Sequence, residues 1–215
     1  MPKVNIVIVS FNTRSSLMTC LKSLQENPPT ISHDIIVVDN ASSDGTPEAL
    51  QTHWPEIRLL KLDKNLGFAA ATNEGMRRTS GELVLLLNSD TIVPMGSIDN
   101  LVVALTSNPD VAIAGPRLLS RDGKLELSFG SMISPISEIR QKLLQWSLNS
   151  KVRLLSNWVE KRARYPHHPD WVSGACLLVR RYDAEAVGLL DERFFLYTED
   201  VDFCWAVRNK NRLVL

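Results

Sequence analysis

No run of apolar residues in this sequence approaches the roughly 20 that a membrane-spanning helix requires. Cysteine is scarce: Cys20, Cys176 and Cys204 are odd in number and form no CxxC pair. That argues against a disulfide framework and for free thiols in a reducing compartment. Net charge is missing too, because 24 basic residues balance 24 acidic ones. A partner held by bulk charge, nucleic acid included, is therefore not expected. Neither glycine-rich phosphate loop is present. Without GxGxxG a dinucleotide-binding domain is disfavoured, and without GxxxxGK[ST] a P-loop NTPase. The opening stretch MPKVNIVIVSFN lacks the apolar length and small-residue cleavage site of a secretion signal. It reads as a strand, and the protein as cytoplasmic.

What is present is an alternation. VNIVIV (Val4 to Val9) is the apolar run of a strand buried on both faces. A helical pattern follows, with Leu17, Leu21 and Leu24 on one face and Asn27-Pro28-Pro29 as its stop. DIIVVDN, EIRLLKL, GELVLLL and VAIAG repeat the strand signal, with helical segments between them. Thr46 is expected to cap one of these helices, with Pro47 at its first position. The pattern predicts an α/β fold: a mostly parallel sheet flanked by helices and joined by right-handed crossovers. After Gly115 the rhythm changes. RLLSRDGKLELSF reads as a hairpin turning at Asp122-Gly123, WVSGACLLVRR as a strand, and FFLYTEDVDFCWAVRNK as a loop entering a helix. The final RLVL reads as a strand. The division expected is a ligand-binding half, residues 1–115, and a second half, 116–215. Within the latter, 131–169 forms a basic helical insertion with seven basic residues against two acidic.

The strand ends carry the chemistry. LVLLLNSDT, Leu83 to Thr91, runs from a buried-looking strand straight into Asn88, Ser89 and Asp90. Turn formation alone accounts for one such ending. It accounts less well for four in succession: Ser10 and Asn12; Asp39, Asn40, Ser42 and Asp44; Asn65, Gly67 and Asn73; Asn88 and Asp90. Open α/β sheets bind ligands beyond the carboxyl ends of their strands. Asp39 can accept from a base N–H or a ribose hydroxyl there. Gly67 lets backbone approach a ligand. Asp90 can hold Mg2+ or Mn2+ against a diphosphate. Farther along, Glu199, Asp200 and Asp202 form either an acidic first turn of a helix or a general base for displacement at a sugar carbon.

The ordered motifs VIVSFN, IIVVDNASSDGT, NLGFAAATNEG, LLLNSDT, WVSGACLLVRR and GLLDERFFLYTEDVDFC resemble those of the family-2 glycosyltransferases with the GT-A fold. The rhamnosyltransferase-like bacterial branch is the most similar. The resemblance covers nearly the whole chain except about 131–169. It implies a UDP- or dTDP-sugar donor, a divalent metal (Mn2+ or Mg2+), inversion in one displacement, and a saccharide or lipid-linked acceptor. By motif, Ser10, Asn12, Asp39, Asn40, Asp44, Asn65, Gly67, Asn73 and Ser89 would hold the nucleotide, and Asp90 the metal. Trp171 and Gly174 would lie by the donor sugar and acceptor. Asp200 would be the base, with Glu199 orienting the acceptor or sharing that role.

Three departures stand out. Asn88-Ser89-Asp90 replaces a DxD triplet with one carboxylate fewer. Ala206 stands where the family often has arginine, with Arg208 two residues on. The metal-liganding histidine expected after RLVL has no counterpart, which suggests C-terminal truncation or an ion that does without that ligand, unless His167 or His168 substitutes. A nucleotide-sugar-binding module, inactive for want of that segment, is thus the alternative. A nucleotidyltransferase is disfavoured because SFNTRSS contains no glycine. The basic stretch 131–168 suggests peripheral contact with anionic lipid at the inner face of the plasma membrane.

Overall fold

The computed structural model describes residues 3–132 and 163–215. The two helices expected between 131 and 169, with most of the basic excess, lie outside the described residues. Four parallel strands come first in the chain: β1 (Val4–Ser10), β2 (His33–Asp39), β3 (Arg58–Lys61) and β4 (Leu83–Asn88). Between them lie helices α1 (Arg14–Glu26), α2 (Thr46–His53) and α3 (Phe68–Arg77), followed by α4 (Ser97–Thr106) and β5 (Val111–Ala114). The expected hairpin is formed by β6 (Leu118–Leu119) and β7 (Leu125–Glu126), with Gly123 at φ +76° in its turn. Next come β8 (Phe129–Gly130) and β9 (Trp171–Val172), which pair antiparallel. The chain continues through β10 (Cys176–Arg180), α5 (Arg181–Ala186), α6 (Glu199–Arg208) and β11 (Leu213–Val214).

Among the described residues the main sheet has seven strands in the order β11-β5-β10-β4-β1-β2-β3. Strand β10 is the one that runs against its neighbours, wedged between β4 and β5. WVSGACLLVRR is thus not one strand. It breaks at 173–175, and the break falls on the sheet edge where the parallel strands end.

The apolar runs are explained by burial on both faces. In β1, Ile6 and Ile8 pack with Leu17 and Leu21 of α1, while Val7 faces α3. In β4, Leu83, Leu85 and Leu87 join the first layer; Val84 and Leu86 join the second. Helix α3 lies close because its sheet-facing residues are small. A Cβ at Gly75 would stand 2.6 Å from Val7 Cγ1. One cap differs from expectation. Thr46 is already helical, Gly45 (φ +80°) holds the cap position, and Asp44 Oδ1 accepts from Thr46 N–H and Oγ1–H. The carboxylate at the start of α2 satisfies two donors and complements the helix dipole, so the hydroxyl is not needed there.

Candidate active site

Register brings the strand ends into one row. Ser10 pairs with Asp39, and Val9 with Asn88. The Asn40 amide then donates to Ser10 O at 2.8 Å. Asp39 is buried, at 2% exposure. Its Oδ2 accepts weakly from Ser42 N–H at 3.2 Å, whereas Oδ1 is buried and has no partner among the described residues. A buried carboxylate oxygen left so is costly unless something donates to it, and a ligand N–H or hydroxyl would.

Most other residues singled out for the nucleotide hold the protein to itself. Asn12, at φ +55°, accepts from Ser43 N–H through Oδ1, and its own N–H donates to Ser42 Oγ. Asp44 Oδ2 accepts from Arg14 N–H at the start of α1. Desolvation opposes ionisation of Asp44, but hydrogen bonds from Thr46 and Arg14 hold its pKa below the ordinary carboxylate value. Thr13 Oγ1 links the buried hydroxyls of Ser10 (2.8 Å) and Ser89 (2.9 Å). Asn40 donates to Asn65 Oδ1 and Gly67 O and accepts from Leu66 N–H. Asn65 Oδ1 also accepts from Gly67 N–H. Asn73, wholly buried, closes on both backbone groups of Leu190. Gly67 makes its close approach to protein: a Cβ there would meet Phe195 O at 2.5 Å. These bonds shape the cleft wall.

The question raised by LVLLLNSDT is answered by the same edge. Asn88 N–H donates to Ala175 O at 2.9 Å, Thr91 N–H closes a turn on Asn88 O, and Asp90 is left exposed. Beneath it, burial and then the charge of Asp90 push the Cys20 thiol up to about 12. All three cysteines are buried free thiols. Among the described residues no group of three or more His, Cys, Asp or Glu is placed to hold a metal. The set present suits an ion bound by one carboxylate plus substrate phosphate and water, which is how Mg2+ and Mn2+ sites at diphosphates are commonly built.

Asp200 arrives from the far end of the chain. Its Oδ2 accepts from Gly174 N–H and its Oδ1 from Val201 N–H, both at 2.8 Å. Each oxygen keeps a second lone pair for an acceptor proton. Gly174 immediately precedes Ala175, whose carbonyl holds Asn88. Thus Asp200 and Asn88, two residues before Asp90, hang from adjacent residues of one loop. A Cβ at Gly174 would lie 3.4 Å from Asp200 Cβ, in ordinary contact. Two successive non-glycine residues at positive φ, Tyr197 (+69°) and Thr198 (+76°), turn the chain into α6. Such backbone costs of order 1–3 kcal/mol per residue and clusters at functional sites.

Glu199 is 5% exposed, and its Oε2 has no partner among the described residues. Desolvation, reinforced by the charge of Asp200, raises its pKa. Folding therefore favours the protonated form. That contribution to stability is full below the unfolded value of about 4.3 and is lost as pH rises through the higher folded value. Glu199→Gln keeps the shape and cannot ionise. Its melting temperature is expected to match wild type near pH 4 and exceed it increasingly towards pH 8, by ~2–4 °C per kcal/mol relieved. Thermal melts across that range check this, and parallel curves would count against it.

Other expected residues lie elsewhere. Trp171 is 8% exposed; its ring packs on Gly130 and its indole N–H donates to Ser131 O at 3.0 Å. It packs with the core. The chain just before Asp200 carries three exposed apolar side chains, Phe195, Leu196 and Tyr197, which the sequence motifs did not single out. Arg208, two residues past Ala206, pairs with Asp170 at 2.7 Å. His168 Nδ1 hydrogen-bonds Val214 O, and His167 Nδ1 hydrogen-bonds Tyr165 O with its ring edge-on to Phe129.

A family model, Glycosyl transferase family 2, matches residues 5–185. The N-acetylglucosaminyl-diphospho-decaprenol L-rhamnosyltransferase of Mycobacterium tuberculosis is 33% identical across 92% of this chain and 67% of its own. This chain therefore spans about two thirds of that relative's length. The mannosyltransferase of Pyrobaculum calidifontis, solved with GDP-Man and Mn2+, superposes with TM-score 0.66 at 19% identity, over 100% of this chain and 54% of that one. S. aureus TarS 1-349 with UDP does so with TM-score 0.66 at 17% identity, over 99% and 57%. No helix among the described residues is long and apolar enough to cross a membrane. The chain belongs to glycosyl transferase family 2, of the rhamnosyltransferase-like kind, on a GT-A fold.

Proposed function

We propose that the protein transfers a sugar, with inversion, from a UDP- or dTDP-sugar to a hydroxyl of a saccharide or lipid-linked acceptor. The observation that carries this is the bridge Asp200–Gly174–Ala175–Asn88, which sets the candidate base beside the strand end bearing Asp90. Asp39, with its unpartnered Oδ1, would receive the base N–H or a ribose hydroxyl of the nucleotide. Ser10, Ser89 and the bonded asparagines would form the wall behind it. Asp90 would hold a divalent cation, which when bound neutralises the diphosphate as it leaves. Asp200, fixed by two backbone N–H groups, would take the acceptor proton as the hydroxyl attacks the anomeric carbon from the face opposite the diphosphate. The M. tuberculosis relative's name supports a lipid-linked acceptor, and the P. calidifontis complex supports a Mn2+-assisted donor. The basic stretch 131–168 would meet anionic lipid at the inner membrane face.

A panel of UDP-, dTDP- and GDP-sugars tests the reading. A uridine or thymidine donor with Mn2+ is expected to raise the melting temperature, because a ligand selective for the native state stabilises it. The same donor is expected to support transfer with inverted anomeric configuration. Retention of configuration, or no response to any donor, would overturn it.

A further inference from the structure

The segment that carries Asp200 is fastened to the nucleotide half of the molecule. Asn73, on α3, donates through Nδ2 to Leu190 O at 2.8 Å and Glu192 Oε1 at 2.9 Å, and accepts from Leu190 N–H at 3.1 Å. Glu192 Oε1 also takes Arg77 Nη2–H, from the same helix. The hydrogen bonds from Asn73 and Arg77 hold the Glu192 carboxyl below the ordinary carboxylate pKa. A second fastening lies one turn earlier on α3. Phe68 N–H donates to Phe195 O at 2.8 Å, and Gly67 (φ +84°) sits so close to Phe195 that no side chain fits. Gly67 O is in turn held by Asn40, the residue after Asp39. Helix α3 is itself pinned on the sheet through Gly75 against Val7 and Val38.

We propose that Asn73 is a positioning residue for the transfer reaction. It sets where the 190–198 segment, and hence Asp200, stands relative to the donor-binding edge, and it is not a nucleotide ligand. The inference rests on Asp200 being the base. The chemistry is direct. One primary amide closes both backbone groups of Leu190 in a buried site, where unpaired groups would be expensive. From Phe195 onward the chain crosses two left-handed residues, which leaves little slack before Asp200. Loss of the amide would let the segment drift, and a misplacement near 1 Å costs about 10²-fold in rate.

The experiment compares wild type, Asn73→Leu and Asp200→Asn. Asn73→Leu is expected to lower kcat by about 10–100-fold while the Kd for UDP or dTDP changes less than about twofold. Hydrogen exchange supplies a readout independent of turnover. The Gly174 amide, which donates to Asp200 Oδ2, should exchange about tenfold faster in Asn73→Leu. Glu192→Ala, at a half-exposed side chain, removes one anchor while keeping both Asn73–Leu190 bonds, and should show the same changes on a smaller scale should Asn73→Leu not fold. Unchanged Gly174 exchange, or weakened nucleotide binding with kcat preserved, would overturn the proposal. If Gly174 loosens while Asp200→Asn retains full activity, the positioning of the segment stands and the assignment of Asp200 as base falls.

Discussion

Asp200→Asn should lower kcat for sugar transfer by about 10²–10⁴-fold, the range that a positioned general base contributes. Affinity for the nucleoside diphosphate should stay within about twofold. The substitution is nearly isosteric, and the amide oxygen can still accept from Gly174 N–H. Its NH2 group would face the Val201 N–H, so one short-range hydrogen bond is lost at the first turn of α6. That is a local loss and leaves both apolar layers intact. Initial rates with the selected donor, beside calorimetry with the diphosphate alone, separate chemistry from binding. A variant within about threefold of wild type would show that another group takes the proton.

Asp90→Ala should be comparably severe by a different route. The side chain is exposed and no hydrogen bond or ion pair among the described residues ties it to the fold, so stability should barely change. With one carboxylate where the family's triplet often has two, removing it takes away the only acidic side chain of the Asn88-Ser89-Asp90 turn. Loss of charge stabilisation at a leaving diphosphate is expected to cost about 10²–10³-fold in transfer. Chelation of divalent ions should bring wild type towards the same level, and added Mn2+ should restore wild type but not the variant. Transfer rates titrated with Mn2+ in both proteins read this out. Equal Mn2+ stimulation of the two would remove Asp90 from that role.

The parts of the fold that were legible are those whose burial is two-sided. VNIVIV, DIIVV and LVLLL announce strands because both faces need apolar side chains. Parallel strands then place Asp39 and Asp90 at one edge whatever the loops do. Strand direction, by contrast, leaves no mark in an apolar run, so β10 between β4 and β5 could not be read from CLLVR. Side-chain amides were ambiguous for a similar reason. The donors and acceptors of Asn40 and Asn73 suit a nucleotide and a backbone equally well, and their bonds to Gly67 and Leu190 could not be read from the sequence. Gly67 carried the same ambiguity, since close approach by Phe195 and by a ligand demand the same glycine. Trp171 is placed by the donor sugar and acceptor on its motif alone, because its packing against Gly130, 41 residues earlier, is invisible in the local pattern.

Paramagnetic broadening of amide signals by Mn2+ with UDP or dTDP tests most directly whether one cation site joins these distant residues. The effect falls steeply with distance, and the strands put about 20 Å between the two edges of the sheet. The amides of Asn40, Ser89 and Gly174 should broaden, those of Val4, His33 and Leu83 should stay sharp, and Asp90→Ala should abolish the difference. A sharp Gly174 signal while Asn40 broadens, or broadening centred on Leu83, would contradict the placement of Asp200 at the donor site.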